Sequence, residues 1–235
     1  GRLMLPLHRD VARIVLEASA GRAALAALGG GNALLAHGVS NRPTEDVDVF
    51  VASLDGFDET VAAIAGALAA AGYAVEEHDK SGGLGDIWEG IGEGLAEFEV
   101  TPPGGNSTVQ VQASFFELRC PPVKVPGIGL VVHLDDAAGH KTCAVAGRQM
   151  PRDYCDIASL CEAGYSTRRL IKLARERDAG LEPGDFADAA AHLDELDDAD
   201  LEAVLPAGRD AAWVRAAFKD WPRSAPARKS RRRSW

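Results

Sequence analysis

The sequence is short of aromatic residues, of paired cysteines, of long apolar runs and of basic charge, and each shortage excludes something. Phe, Trp and Tyr make up 6% of the 235 residues, so a core here has to be built from Ala, Val, Leu and Ile. Four cysteines are present, Cys120, Cys143, Cys155 and Cys161, none in a CxxC pair and none at a zinc-type spacing from the six histidines. Reduced thiols in a cytoplasmic protein are therefore expected. The most apolar stretch, Val61 to Val75, is Ala-rich and follows Asp58 and Glu59. It is too short and too weakly hydrophobic to cross a membrane. The formal net charge of −10 argues against a generic basic nucleic-acid binder. That charge is uneven, because Pro222 to Trp235 carries Arg223, Arg228, Lys229, Arg231, Arg232 and Arg233 and no acid. An acidic body with a basic tail is the layout, the tail being a disordered end or a contact for an acidic partner, with nucleic acid second. The 46% hydrophobic and 26% charged content is that of a globular protein able to bury a real core.

What is present divides the chain in two. Helical spacing of Val11, Ile14, Val15, Ala18, Leu25 and Leu28 predicts a helix over 10–28 with Asp10 as its cap. Gly29-Gly30-Gly31-Asn32 follows, then a short helical run stopped at Gly38. Asp46-Val47-Asp48-Val49-Phe50-Val51 alternates and is β-branched, which predicts a strand. Residues 57–71 predict an Ala-rich helix closed by Gly72, and 73–77 a second strand. The glycine-rich stretch 79–94 predicts a loop. Residues 96–101 and 108–116 predict two strands, and 124–132 a further extended piece. Helices are expected over 135–147, 151–164, 166–179, 183–193 and 198–205. The expectation is an α/β fold: a small mixed sheet in residues 1–132, a helical region over 133–221 and the basic tail 222–235.

Asp46 and Asp48 carry the chemical interest. On a strand, residues two apart project from the same face. Two carboxylates side by side repel unless a cation lies between them, and hard oxygen ligands of this kind suit Mg²⁺ with substrate phosphates. The bare pattern is weak, since about two D-x-D matches are expected by chance in a chain this rich in Asp. Asp198 and Asp200 form a second pair in an acidic, helical, solvated context. What distinguishes the first pair is the triple glycine before it, where small residues let backbone N–H groups approach a phosphate. Gly30, Gly31 and Asn32 form this candidate cradle, and Arg42 and Thr44 stand in the loop between cradle and carboxylates. Arg42 reads equally as a phosphate contact or an ordinary loop arginine. His37 reads as a helix-end histidine.

Gly30-Gly31-Asn32-Ala33-Leu34, His37-Gly38 and Arg42-Pro43-Thr44-Glu45-Asp46-Val47-Asp48 resemble the opening signature of the AbiEii-type nucleotidyltransferases. These belong to the DNA polymerase β-like nucleotidyltransferase superfamily. A second block, Lys141, Ala144, Arg148 and Arg152-Asp153-Tyr154-Cys155-Asp156-Ile157, is similar to the family's later helical motif. The resemblance implies that Gly30 and Gly31 bracket a nucleoside triphosphate and that Asp46 and Asp48 hold Mg²⁺. It gives Lys141 the neutralisation of triphosphate charge and Asp156 the acceptor side. Arg148, Arg152 and Asp153 would tie helices together. Asp156 has a structural alternative, an ion pair with Arg152 one turn earlier, and Lys141 reads on its own as a surface lysine.

Two departures from the family pattern stand out. Asn32 occupies a position where Thr or Ser is usual. Gln110 and Gln112 stand on a strand where the superfamily often places a third carboxylate, leaving Glu99 and Glu117 as substitutes. The resemblance further implies a toxin of a toxin–antitoxin or phage-defence pair that modifies the acceptor end of tRNA. Seven cations, Arg148, Arg152, Arg168, Arg169, Lys172, Arg175 and Arg177, offer a basic patch for such an RNA, or a solvated face. The alternatives are a transferase acting on a small hydroxylated molecule such as an antibiotic, and a decayed site that binds NTP or a partner without turnover.

Overall fold

The computed structural model describes residues 4–78 and 94–223, and the chain divides into two compact units, 1–137 and 138–235.

All the described strands lie in the first unit. Helix α1 (Pro6–Ser19) is followed by β1 (Ala26–Leu28), α2 (Gly30–Ala36), β2 (Asp46–Val51), α3 (Phe57–Ala70) and β3 (Ala74–Glu77). Then come β4 (Leu95–Thr101), β5 (Val109–Phe115), β6 (Val123–Val125) and β7 (Gly129–Val131). They form one mixed sheet in the order β3-β4-β5-β2-β1-β7-β6. The β2–β5 and β1–β7 pairs are parallel and the remaining neighbours antiparallel. Val47, Val49, Val51, Val111 and Phe98 point to one face and are buried there, with α1 and α3 packed over the sheet. Each such side chain contributes about 1.5–3 kcal/mol by leaving water. Phe50 stacks on Phe116, centroids 4.1 Å apart.

The helix expected over 10–28 ends at Ser19, and 26–28 is a strand instead. Pro6 opens α1, so Asp10 sits inside the helix rather than at its cap. Gly21, with φ +73, breaks the run. Ala26, Ala27 and Leu28 suit a helix by propensity, but tertiary pairing with β2 and β7 overrides it. The extended piece over 124–132 is a hairpin, β6 and β7. The expected glycine-rich loop lies, except for Gly94, outside the described residues, as does the tail beyond Arg223.

Helix α4 (Leu134–Gly147) leads into the second unit. That unit holds α5 (Pro151–Glu162), α6 (Thr167–Arg177), α7 (Pro183–Glu195), α8 (Asp198–Glu202) and α9 (Ala211–Ala217). The α9 segment carries no strong sequence signal, and it forms because Val214, Phe218 and Trp221 bury against α5, α7 and α8. Among the described residues no helix is long and apolar enough to cross a membrane.

Candidate active site

The triple glycine follows β1 directly, and each glycine is closely approached by a different group. Gly29 donates its N–H to the Asp48 carbonyl at 2.8 Å, and a Cβ there would lie 2.5 Å from the Phe50 ring. Gly30 has φ +58, and a Cβ there would lie 1.7 Å from Oδ2 of Asp48. Gly31 would press on the Thr44 methyl at 2.7 Å and on Nη2 of Arg42 at 3.2 Å. The Asp48 carboxylate therefore occupies the space that the missing Gly30 side chain leaves. At the start of α2 the N–H groups of residues 30 to 32 have no intrahelical acceptor. Replacing Gly30 by Ala would strain the left-handed backbone and displace the Asp48 carboxylate. Gly30→Ala is expected to lose at least about 100-fold in nucleotide-dependent activity, with only about 1–3 kcal/mol lost in stability. Parallel activity and thermal-melt measurements on one preparation check both.

Asn32 is buried and engaged at both ends of its amide. Its Nδ2 donates to the Asp46 carbonyl at 2.6 Å, and its Oδ1 accepts the Thr44 hydroxyl at 2.6 Å. The residue thus ties the first turn of α2 to the start of β2, and it orients Thr44 as it does so. Arg42 donates from Nη1 to the Pro43 carbonyl at 3.1 Å. His37 donates from Nε2 to the Val132 carbonyl at 2.7 Å, which ties the end of α2 to the residue just after β7.

Asp46 and Asp48 project together from the face of β2 opposite Val47 and Val49, as alternation requires. Register continues that face across two strands. Asp46 lies opposite Gln110, and Gln110 opposite Glu99; Asp48 lies opposite Gln112, and Gln112 opposite Glu97. Gln110 donates its amide to Glu99 at 2.9 Å, and Gln112 donates to Glu97 at 2.8 Å. A carboxylate can only accept, so each amide must turn its NH₂ toward its Glu. Glu99 is thus bonded through Gln110 on a strand two removed from β2, while Glu117 lies exposed in the loop after β5. The pairing of Glu97 with Gln112 was not anticipated. Its signal was the double alternation Glu97-Phe98-Glu99 and Gln110-Val111-Gln112.

In the second unit Lys141 and Asp156 are both buried and pair at 2.6 Å, Nζ to Oδ2. Lys141 is thus no surface lysine, and Asp156 meets it across helices α4 and α5. Arg148 grips Asp153 with two bonds, 2.8 and 2.6 Å, and Asp153 also accepts the Met150 N–H at the start of α5.

Beside Lys141, burial and then the charges of Lys141, Arg177 and Arg148 push the His140 imidazole down to about 3, against a smaller opposing effect of Asp156. His140 is neutral in the folded chain and takes a proton in the unfolded one below about pH 6.5. Stability must therefore fall as pH drops from about 6.5 toward 3. In His140→Asn that part of the acid sensitivity is expected to vanish, as urea denaturation of both proteins across this range will show. Burial, and then the charge of Asp178, push the Cys143 thiol up to about 11, so it stays protonated.

The seven-cation patch resolves into unequal parts. Arg168, Arg169, Lys172 and Arg175 on α6 are exposed, whereas Arg152 and Arg177 are half-buried and Arg148 is spent on Asp153. Arg169 lies over the Tyr165 ring at 4.7 Å, and Lys172 pairs with Glu176 at 3.6 Å.

Comparison with known proteins bears on family and fold. The profile of the family described as "Nucleotidyl transferase AbiEii toxin, Type IV TA system" matches residues 13–225. The fold resembles MenT4, a nucleotidyltransferase toxin from Mycobacterium tuberculosis H37Rv, with TM-score 0.62 and 16% identity over 91% of this chain and 81% of that one. It also resembles JHP933 from Helicobacter pylori, with TM-score 0.57 and 16% identity over 91% of each chain. None of the curated proteins compared with the chain matches it.

Proposed function

The chain belongs to the AbiEii nucleotidyltransferase toxin family, and from that premise we propose that it is a Mg²⁺-dependent enzyme that moves a nucleoside monophosphate from an NTP to tRNA. The family is one of two-component systems, so a cognate antitoxin is the proposed protein partner.

The observation that carries this reading is the Asp48 carboxylate seated over the side-chain-free Gly30, with Asp46 beside it on the same strand face. The donor set fits the metal, because both are hard oxygen ligands and their mutual repulsion favours a divalent cation between them. Mg²⁺ held there would supply charge neutralisation and in-line alignment at the α-phosphate. The remaining steps rest on the chain's own groups. Gly30 makes room for the Asp48 carboxylate and Gly31 for Thr44 and Arg42, so these three side chains border the start of α2, where the triphosphate is proposed to sit. Asn32 holds Thr44 and the Asp46 backbone in register for it. On the family resemblance we assign Lys141 to the triphosphate and Asp156 to the acceptor hydroxyl, two buried groups that pair with each other in the second unit. The exposed cations of α6 give tRNA phosphates a local basic surface on an otherwise acidic chain.

Incubation of host total tRNA with each α-labelled NTP and Mg²⁺ tests this, with Asp46→Ala plus Asp48→Ala as the control. Label on tRNA from wild type alone is expected. Transfer to small hydroxylated compounds without RNA would replace tRNA as the acceptor. Calorimetric NTP binding with no transfer to any acceptor would mark a decayed site.

A further inference from the structure

A second constellation lies in the first unit and involves none of the residues assigned above. Cys120, His133 and Asp135 place a sulfur, a ring nitrogen and a carboxylate oxygen all within 4.8 Å of one another, each side chain half-buried. Sequence spacing hid it, because Cys120 lies in the loop after β5 while His133 and Asp135 flank the start of α4.

The scaffold that brings them together is rigid and buried. Asp136, 2% exposed, accepts the backbone N–H of Arg119 at 3.1 Å and of Cys120 at 3.0 Å. That carboxylate pins the Cys120 loop to the first turn of α4. On the other side Val132, fully buried, donates to the Leu28 carbonyl at 3.0 Å and accepts from His37. The residue before His133 is thus fixed to the sheet. His133 Nδ1 accepts the Asp135 N–H at 3.1 Å, which holds the ring toward the helix start.

We propose that Cys120, His133 and Asp135 bind a borderline-soft divalent cation of the Zn²⁺ class, as a clamp between the β5–β6 loop and the start of α4. One thiolate, one imidazole and one carboxylate are a three-ligand set with a fourth position left to water. Ligands at about 2.0–2.3 Å from a tetrahedral ion stand about 3.3–3.8 Å apart. The ligand atoms, all within 4.8 Å of one another, therefore need to close by no more than about 1.5 Å to hold the ion. Thiolate and carboxylate together balance the double positive charge. Binding releases the Cys120 thiol proton, so affinity rises with pH. Mg²⁺, which prefers oxygen, does not compete for a site of this composition. The clamp is chemically separate from the Asp46–Asp48 pair.

The test uses the whole chain, stripped of metal by a chelator and titrated with Co²⁺ and then Zn²⁺. Co²⁺ is expected to give a thiolate-to-metal charge-transfer absorption saturating at about one ion per chain, which Zn²⁺ abolishes. Cys120→Ser should remove that absorption, and His133→Asn or Asp135→Asn should weaken Co²⁺ binding by on the order of 100-fold. Cys143→Ser, and Asp46→Asn with Asp48→Asn, should leave it unchanged. Zn²⁺ should also slow alkylation of Cys120, read on its peptide by mass spectrometry, in wild type and in the Asp46 and Asp48 variants alike. Absence of the absorption, or its survival in Cys120→Ser, overturns the proposal. Because the Asp46 and Asp48 variants serve as controls, failure of the transferase reading leaves this result intact.

Discussion

Asp48→Asn is expected to lower nucleotidyl transfer by on the order of 10³-fold while the chain melts within a few degrees of wild type. The size follows from the chemistry. A divalent ion at a phosphoryl centre contributes several kcal/mol of charge stabilisation, and about 1.4 kcal/mol is tenfold in rate. The amide keeps the shape of the carboxylate above Gly30 but gives up its charge. Neither residue paired with Asp46 or Asp48 on β5 replaces that charge. The residues opposite Asp46 and Asp48 on β5 are the neutral Gln110 and Gln112, and the next carboxylates, Glu99 and Glu97, are bonded to those amides. Asp46→Asn should behave alike for the same reason. Stability moves little because the substitution also removes repulsion between two half-buried carboxylates, and it stays within about 1 kcal/mol of wild type. Calorimetry with Mn²⁺ and a non-hydrolysable NTP should show weaker metal-dependent binding in both variants. Transfer within tenfold of wild type in either would end the reading of this pair as metal ligands. Gly30→Ala keeps both carboxylates but displaces that of Asp48, so its activity should fall between wild type and these variants.

Local pattern made most of this site legible. The alternation of β2 puts Asp46 and Asp48 on one face from the sequence alone, and the glycines before it mark a close backbone approach. The helices α2, α3 and α5 to α8 follow from apolar spacing and from Gly or Pro at their ends, and α4 from the Gly147 that closes it. What stayed hidden depended on contacts between distant segments. Ala26-Ala27-Leu28 carries the composition of a helix, and only its neighbours β2 and β7 make it a central strand. Asn32 looked like a poor substitute for a hydroxyl residue. Its use lies in two bonds, to Asp46 and Thr44, that no linear pattern encodes. Gln110 and Gln112 looked like lost carboxylates until register placed Glu99 and Glu97 one strand further on. Lys141 looked exposed because α4 has no clear apolar stripe, with Asp135, Asp136, His140 and Lys141 interrupting it. Its burial is a property of the pair it forms with Asp156.

That pair supports the second large expected effect. Asp156→Ala should destabilise the chain by about 3–5 kcal/mol, because it leaves the Lys141 ammonium buried without its partner. For a chain of this length about 1 kcal/mol corresponds to 2–4 °C, so the melting temperature should fall by on the order of 10 °C. Lys141→Ala should also destabilise the chain, because it leaves a cavity beside the buried Asp156. These single variants cannot separate a structural role from a chemical one, because an unfolded enzyme is inactive for trivial reasons. The double variant Lys141→Met with Asp156→Leu separates them. Replacing a buried ion pair by apolar side chains of similar volume is often neutral or stabilising, so this variant should melt close to wild type. If Lys141 meets the triphosphate and Asp156 the acceptor, its transfer activity should still be at least about 10³-fold down. If the pair only joins α4 to α5, the double variant regains activity along with its fold. Stability and transfer measured on that one protein therefore decide what the buried charges are for. A stable but inactive double variant would mean that two charges which add little to folding are kept for their chemistry.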